Sequence, residues 1–186
     1  MSENLRLYHG AIYGLDGVVR RMAADDWDKP SKCAEWSCRE VIGHVTWLTR
    51  RLAGAVGSGE ALPEMPEAEV AGEDPLASWT TARDLVLVGL DRPGALASLT
   101  DSPFGEAPID TMLRISASDA YTHTWDIGAA VGIDPALDPA IAEAILPGLI
   151  QFGDNLRQPG LMGPEVEVPA DASVVDRYLG FVGRNP

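Results

Sequence analysis

The stretch WSCREVIGHVTWLTRRLAGA, Trp36 to Ala55, decides the fold class. Ser37 stands three residues before Glu40, the spacing of a capping box in which a hydroxyl and a carboxylate satisfy each other's orphan backbone N–H groups. Trp36 before the cap and Val41 at the fourth helical position have the pattern of a hydrophobic staple. The periodicity predicts a helix over 38–55, closed by Gly57, Ser58 and Gly59. A long, capped helix with one apolar face has to bury that face against others of its kind.

Such partners lie on both sides. Leu5, Tyr8, Ile12, Leu15, Val18, Val19 and Met22 recur at three- and four-residue steps and predict a helix over 3–24. The Pro- and Glu-rich segment 62–73 has no period and reads as an exposed loop. Asp74 followed by Pro75 is an N-cap with proline at the first helical position, and Leu76, Trp79, Ala82, Val86 and Leu90 carry that helix to Arg92. After a turn-rich linker, Ile109, Leu113, Ser116, Ala120, His123, Ile127 and Ala130 predict the longest helix, over 108–131, stopped by Gly132.

Asp138 and Pro139 start a further helix that Pro147 is expected to kink or end, and Asp171 is expected to cap a last one through Val182. The alternation over 165–168 suits one isolated extended stretch. The expectation is therefore all-α: a four-helix bundle, up-and-down or crossover, with C-terminal helical additions, forming one domain over 1–186.

Composition narrows the partners. The 186 residues carry a net charge of -14, so most of the surface repels phosphate backbones and anionic headgroups. Neither nucleic acid nor a membrane is expected as a partner. No apolar run approaches the ~20 residues of a membrane span and the N-terminus has no signal-like core, which predicts a soluble, cytoplasmic protein. Cys33 and Cys38 are the only cysteines, which excludes a disulfide framework and leaves two buried thiols as the simple expectation.

The residues that suit chemistry are His44 on one long helix and Asp119 with His123 on another. Residues at i and i+4 share a helix face, so Asp119 and His123 project side by side. With His44 opposite, they make three donors and an open fourth position, the pattern of catalytic zinc. On spacing alone they suit either a metal site or a buried hydrogen-bond network. Leaving such groups unsatisfied in a core costs roughly 1–3 kcal/mol each, and more for a charge.

CAEWSCREVIGHVTWL (33–48) and SDAYTHTWDIGAAVG (118–132) resemble the two signature stretches of DinB-like metal-binding proteins. The branch is the one related to the N-terminal domain of mycothiol-dependent maleylpyruvate isomerase. PFGEAP (103–108) and DRYLGFVGRNP (176–186) resemble its short members too, so the likeness spans nearly the whole chain. It implies a DinB-like four-helix bundle holding a divalent metal, zinc above others, on His44, Asp119 and His123.

One departure stands out: the acidic ligand in this branch is usually Glu, and Asp119 is shorter by one C–C bond, roughly 1.5 Å. Either its helix sits closer to the metal, or a water fills the gap, or the site has been lost. Asp126 resembles an acidic position that orients an imidazole or touches substrate, and is the candidate catalytic group; pairing with an arginine across helices is the alternative. Phe104 is the candidate apolar substrate contact, with 62–73 and 93–107 bordering the site. His9 has no counterpart and reads as a surface or inter-helix histidine.

Members of known activity use a low-molecular-weight thiol such as mycothiol, activated by the metal. The resemblance thus implies a thiol S-transferase or isomerase acting on a small electrophile. A thiol-independent metal enzyme for hydrolysis or rearrangement is the second expectation, since the isomerase has a separate C-terminal domain that this chain is too short to carry. A non-catalytic metal- or ligand-binding module is the third. A small molecule is the expected partner, with a homodimer as one expected assembly.

Overall fold

The computed structural model describes residues 1–102, 105–157 and 162–186, which divide into two compact units, 1–135 and 136–186. The first is built on α1 (Glu3–Val19), α2 (Cys38–Ala55), a short α3 (Glu67–Ala71), α4 (Pro75–Leu90) and α5 (Ile109–Val131). The all-α, DinB-like expectation holds.

Helix starts follow the cap chemistry. Ser37 and Glu40 form the full capping box of α2, Asp74 accepts from Ala77 N–H with Pro75 in the first turn of α4, and Gly132 closes α5 in the left-handed conformation. α1 ends earlier than the periodicity suggests: the chain turns at Arg20 and makes a 3₁₀ turn at 24–26. Within 62–73, expected as loop alone, α3 forms and buries Val70 and Ala71. Five residues are too few to display a period.

Side-chain ties fix the helix directions. Ser2 and Asn4 bond Asp110 at the start of α5, while Arg21 beyond α1 donates to the Asp134 carbonyl beyond α5, so α1 and α5 run parallel. Arg39 in the first turn of α2 reaches the Gly72 carbonyl just before α4, and Arg92 beyond α4 reaches the Val56 and Gly57 carbonyls beyond α2, so this pair is parallel as well. The segment between α2 and α4 therefore runs back along α2. Arg50 donates to the Glu60 carbonyl at 2.9 Å and Trp47 to the Pro63 carbonyl at 3.0 Å. At Gly43 a Cβ would lie 1.9 Å from the Glu67 carbonyl oxygen, so only glycine allows this approach. The topology is a crossover bundle.

The core of this unit is largely aliphatic, with Ile12, Leu15, Val18, Ile42, Val86, Leu113 and Ile127 buried alongside Trp79, Tyr8 and Tyr121. Between 99 and 108 two short strands pair antiparallel, Leu99 with Pro108 and Thr100 with Ala107. The alternating stretch 165–168 forms no ladder; in the second unit Val166 N–H donates to the Gly180 carbonyl at 2.9 Å.

That unit holds α6 (Pro139–Phe152), which packs on α7 (Val174–Phe181). Asp138 caps α6, as its sequence suggests, but Pro147 neither ends nor breaks it. Pro147 and Glu143 are both on an exposed face, where the one carbonyl that the missing N–H leaves over is open to solvent and not buried. Ser173, not Asp171, caps α7 by accepting from Asp176 N–H at 3.1 Å. Among the described residues no helix is long and apolar enough to cross a membrane.

Candidate metal centre

His44 lies near the middle of α2, and Asp119 and His123 one turn apart on α5. The two helices pack together, and the three donor atoms lie within 4.8 Å of one another. His44 Nε2 is 3.3 Å and His123 Nε2 3.5 Å from the same oxygen, Asp119 Oδ1. A tetrahedral site with bonds of about 2.0–2.2 Å has donor–donor edges of roughly 3.4 Å, so these separations match a zinc-sized cation. The shorter Asp119 side chain thus reaches both imidazoles, because α5 lies close enough to α2.

Exposure grades across the cluster. The side chains of His44 and Asp119 are each 24% exposed, His123 is 7% exposed and Asp126 fully buried. A cation could enter over His44 and Asp119, while His123 is held from behind. Its Nδ1 is 2.8 Å from Asp126 Oδ2, so as Nδ1–H it donates to that carboxylate and turns Nε2 toward Asp119. Of the two readings of Asp126, the geometry gives the imidazole contact.

Burial alone pulls the His123 imidazole toward neutrality, but the Asp119 and Asp126 carboxylates outweigh it and raise its pKa to about 9. Burial raises Asp119, and the attraction of His44 and then His123 overcomes it, holding the carboxyl far below its ordinary range. Without a cation the pair is an ion pair. A divalent cation competes with the His123 proton for the same carboxylate.

Two further groups reach this site from the segment before α2. Trp36 does not serve only as a helix staple: its ring lies 5.0 Å from that of His44 and 6.2 Å from that of His123, covering both. Cys33, expected to be buried, is half-exposed, and its sulfur lies within 4.8 Å of donor atoms of His123 and Asp126. The sequence signal for both was present in their closeness to the cap of the His44 helix. What it could not show is that Lys32 N–H bonds the Asp126 carbonyl at 3.2 Å and folds the segment over α5.

Cys38 is buried, and burial followed by the Asp26 charge pushes its thiol up to about 11. Tyr8 on α1 is buried; burial, opposed by its neighbour Thr49 and aided by the Asp119 charge, raises its phenol well above the ordinary range. His9 is half-buried with its ring edge-on to Tyr13, 6.2 Å between centroids. Phe104 lies outside the described residues.

Comparison with known proteins agrees with the architecture. The sequence pattern of the mycothiol maleylpyruvate isomerase N-terminal domain matches residues 9–128. Two uncharacterised proteins of Mycobacterium tuberculosis, one from each of two strains, are 27% identical over 184 residues, covering 98% of this chain and 98% of each relative. Crystal structures of mycothiol-dependent maleylpyruvate isomerase and of a single-residue mutant superimpose with a TM-score of 0.68 at 17% and 14% identity. Both alignments cover 98% of this chain and 89% of the other. The expectation that a whole domain of the isomerase lacks a counterpart here is therefore corrected: the fold correspondence runs over most of that chain.

Proposed function

From the premise that the chain belongs to the mycothiol maleylpyruvate isomerase N-terminal domain family, we propose a metal-dependent enzyme that uses a low-molecular-weight thiol on a small electrophile. The reaction is an S-transfer or an isomerisation. The observation that carries this reading is the donor set: His44 Nε2 and His123 Nε2 stand 3.3 and 3.5 Å from Asp119 Oδ1 with a quarter of Asp119 open to solvent. Three donors and an accessible side leave one position for an outside ligand.

A bound divalent cation supplies there the charge that turns a thiol, with an ordinary pKa of about 8.5, into a thiolate at neutral pH. The chain's own groups do the rest. His44, Asp119 and His123 hold the cation. Asp126 is a positioning residue that accepts the Nδ1–H of His123 and fixes its tautomer. Trp36 shields one side of the imidazoles from water and leaves the Asp119 side as the approach. The cytoplasm, where such thiols are kept reduced, is the proposed compartment.

The test is turnover of maleylpyruvate by the zinc-loaded protein with and without mycothiol. Thiol-dependent turnover that Asp119→Asn abolishes is the expected result. Turnover that persists without thiol would return the thiol-independent reading, and zinc binding without turnover of any electrophile would leave a binding module.

A further inference from the structure

His123 belongs to two donor sets. Besides the one it shares with His44 and Asp119, a ring nitrogen of His123, a carboxylate oxygen of Asp126 and the sulfur of Cys33 lie within 4.8 Å of one another. His123 Nε2 faces Asp119, 3.5 Å away, and Nδ1 faces Asp126, 2.8 Å away, so the carboxylates of the two sets lie on opposite edges of one imidazole.

Cys33 is held there by a folded segment. Pro30 and Ser37 form an antiparallel bridge, Ser31 Oγ donates to the Trp36 carbonyl at 2.7 Å, and Cys33 N–H donates to Ser31 Oγ at 3.0 Å. Glu35 adopts the left-handed conformation, with φ of 69°, a costly one for a residue with a Cβ. Lys32 N–H then ties the segment to the main chain of Asp126, itself a member of the set. Thiolate sulfur and imidazole nitrogen are donors that soft or borderline cations favour, the carboxylate adds negative charge, and half-exposed Cys33 is the open side.

We propose that Cys33, His123 and Asp126 form a second cation seat, selective for thiophilic metals, that competes with the first through the shared imidazole. A neutral imidazole has one lone pair for a metal and one N–H. In the first seat Nε2 binds and Nδ1–H donates to Asp126. A cation in the second seat takes Nδ1, whose proton leaves to solvent; as Nε2 gives up its metal it takes a proton from solvent in exchange, and the ring's single N–H, now on Nε2, blocks the first seat. The consequence is a switch: a soft cation disarms the centre by capturing His123. The proposal rests on the reading of His123 as a ligand and not on any thiol cofactor.

Cadmium tests it, because its bond to a thiolate gives an ultraviolet charge-transfer absorption. Cadmium titrated into the whole protein is expected to produce this band in the wild type and in His44→Ala. In Cys33→Ser the band should vanish and cadmium affinity fall at least tenfold, with zinc affinity unchanged. Cadmium added to the zinc-loaded wild type should release zinc in step with the band. No band in the wild type, or a band that survives in Cys33→Ser, overturns the seat. A band without zinc release overturns the competition. A wild type that shows the Cys33-dependent band but binds no zinc would refute the first seat and leave the second standing.

Discussion

Asp16 and Asp119 are both carboxylates set among the helices of the first unit, and their partners differ in kind. Asp16 is met by the guanidiniums of Arg20, at 2.7 Å, and Arg83, and by the indole N–H of Trp79 at 3.1 Å. Asp119 is met by two imidazoles and has a second carboxylate, Asp126, behind one of them. Guanidinium stays charged at any pH a protein survives and offers no lone pair, so the arginines around Asp16 have no proton to trade for a cation. Imidazoles exchange their protons near neutrality and offer lone pairs when they do. A buried carboxylate saturated by arginines ties helices together, whereas one held by histidines can trade those protons for a cation.

The largest expected effect breaks the first cluster. Asp16→Ala leaves the buried Trp79 indole N–H without its carboxylate and the mostly buried Arg83 with exposed Asp84 alone, and should cost about 3–5 kcal/mol, read as a lowered denaturation midpoint. Zinc affinity of the folded variant should not move. If it falls tenfold, the clusters are coupled and the contrast fails.

The second cluster should show itself in pH. The His123 pKa is about 9 in the fold against 6.5 unfolded, so its contribution to the metal-free protein is full below about pH 6.5 and lost as pH rises through about 9. Asp119, lowered by folding, acts in the opposite sense: its contribution is present above its ordinary value of 3.8 and lost only as pH falls through the depressed one. The alkaline loss is at most about 3 kcal/mol, reduced by solvent at the quarter-exposed Asp119. Urea melts from pH 6 to about 10 should show it in the wild type and not in His123→Gln.

Smaller still is the change in first-seat affinity. Asp119→Asn should weaken zinc at least tenfold, about 1.4 kcal/mol, while Asp119→Glu retains it. Unchanged affinity in Asp119→Asn would remove that residue from the ligands. Trp36→Ala, which strips the ring cover from both imidazoles, should cost only about 0.5–1.5 kcal/mol of zinc binding, measured by competition with a chelator.

The fold was legible where local chemistry decides it. The Ser37–Glu40 box, the Asp74–Pro75 start and the Gly132 stop each rest on residues within one turn of the boundary, and each boundary falls where they put it. Reading failed where distant contacts decide. α3 owes its order to its close approach to Gly43, Pro147 survives inside α6 on an exposed face, and the two-residue strands at 99–108 are too short to alternate. At the site, i,i+4 spacing is a local rule that pairs Asp119 with His123, and His44 joined them as a ligand through the likeness of 33–48 and 118–132 to the family's signature stretches. That Cys33 and Trp36 come over His123 depends on the folded segment 30–37 and its backbone bond from Lys32 to Asp126, which no spacing announces.

The central claim is that the Asp119 cluster exchanges a proton for a cation. Calorimetric titration of zinc into the metal-free protein near pH 7.5, in two buffers of different ionisation enthalpy, tests it most directly. The account predicts one zinc per chain, release of close to one proton as His123 surrenders its share, and loss of both signals in His44→Ala. Zinc that binds without proton release, or that binds His44→Ala as well as the wild type, would contradict it.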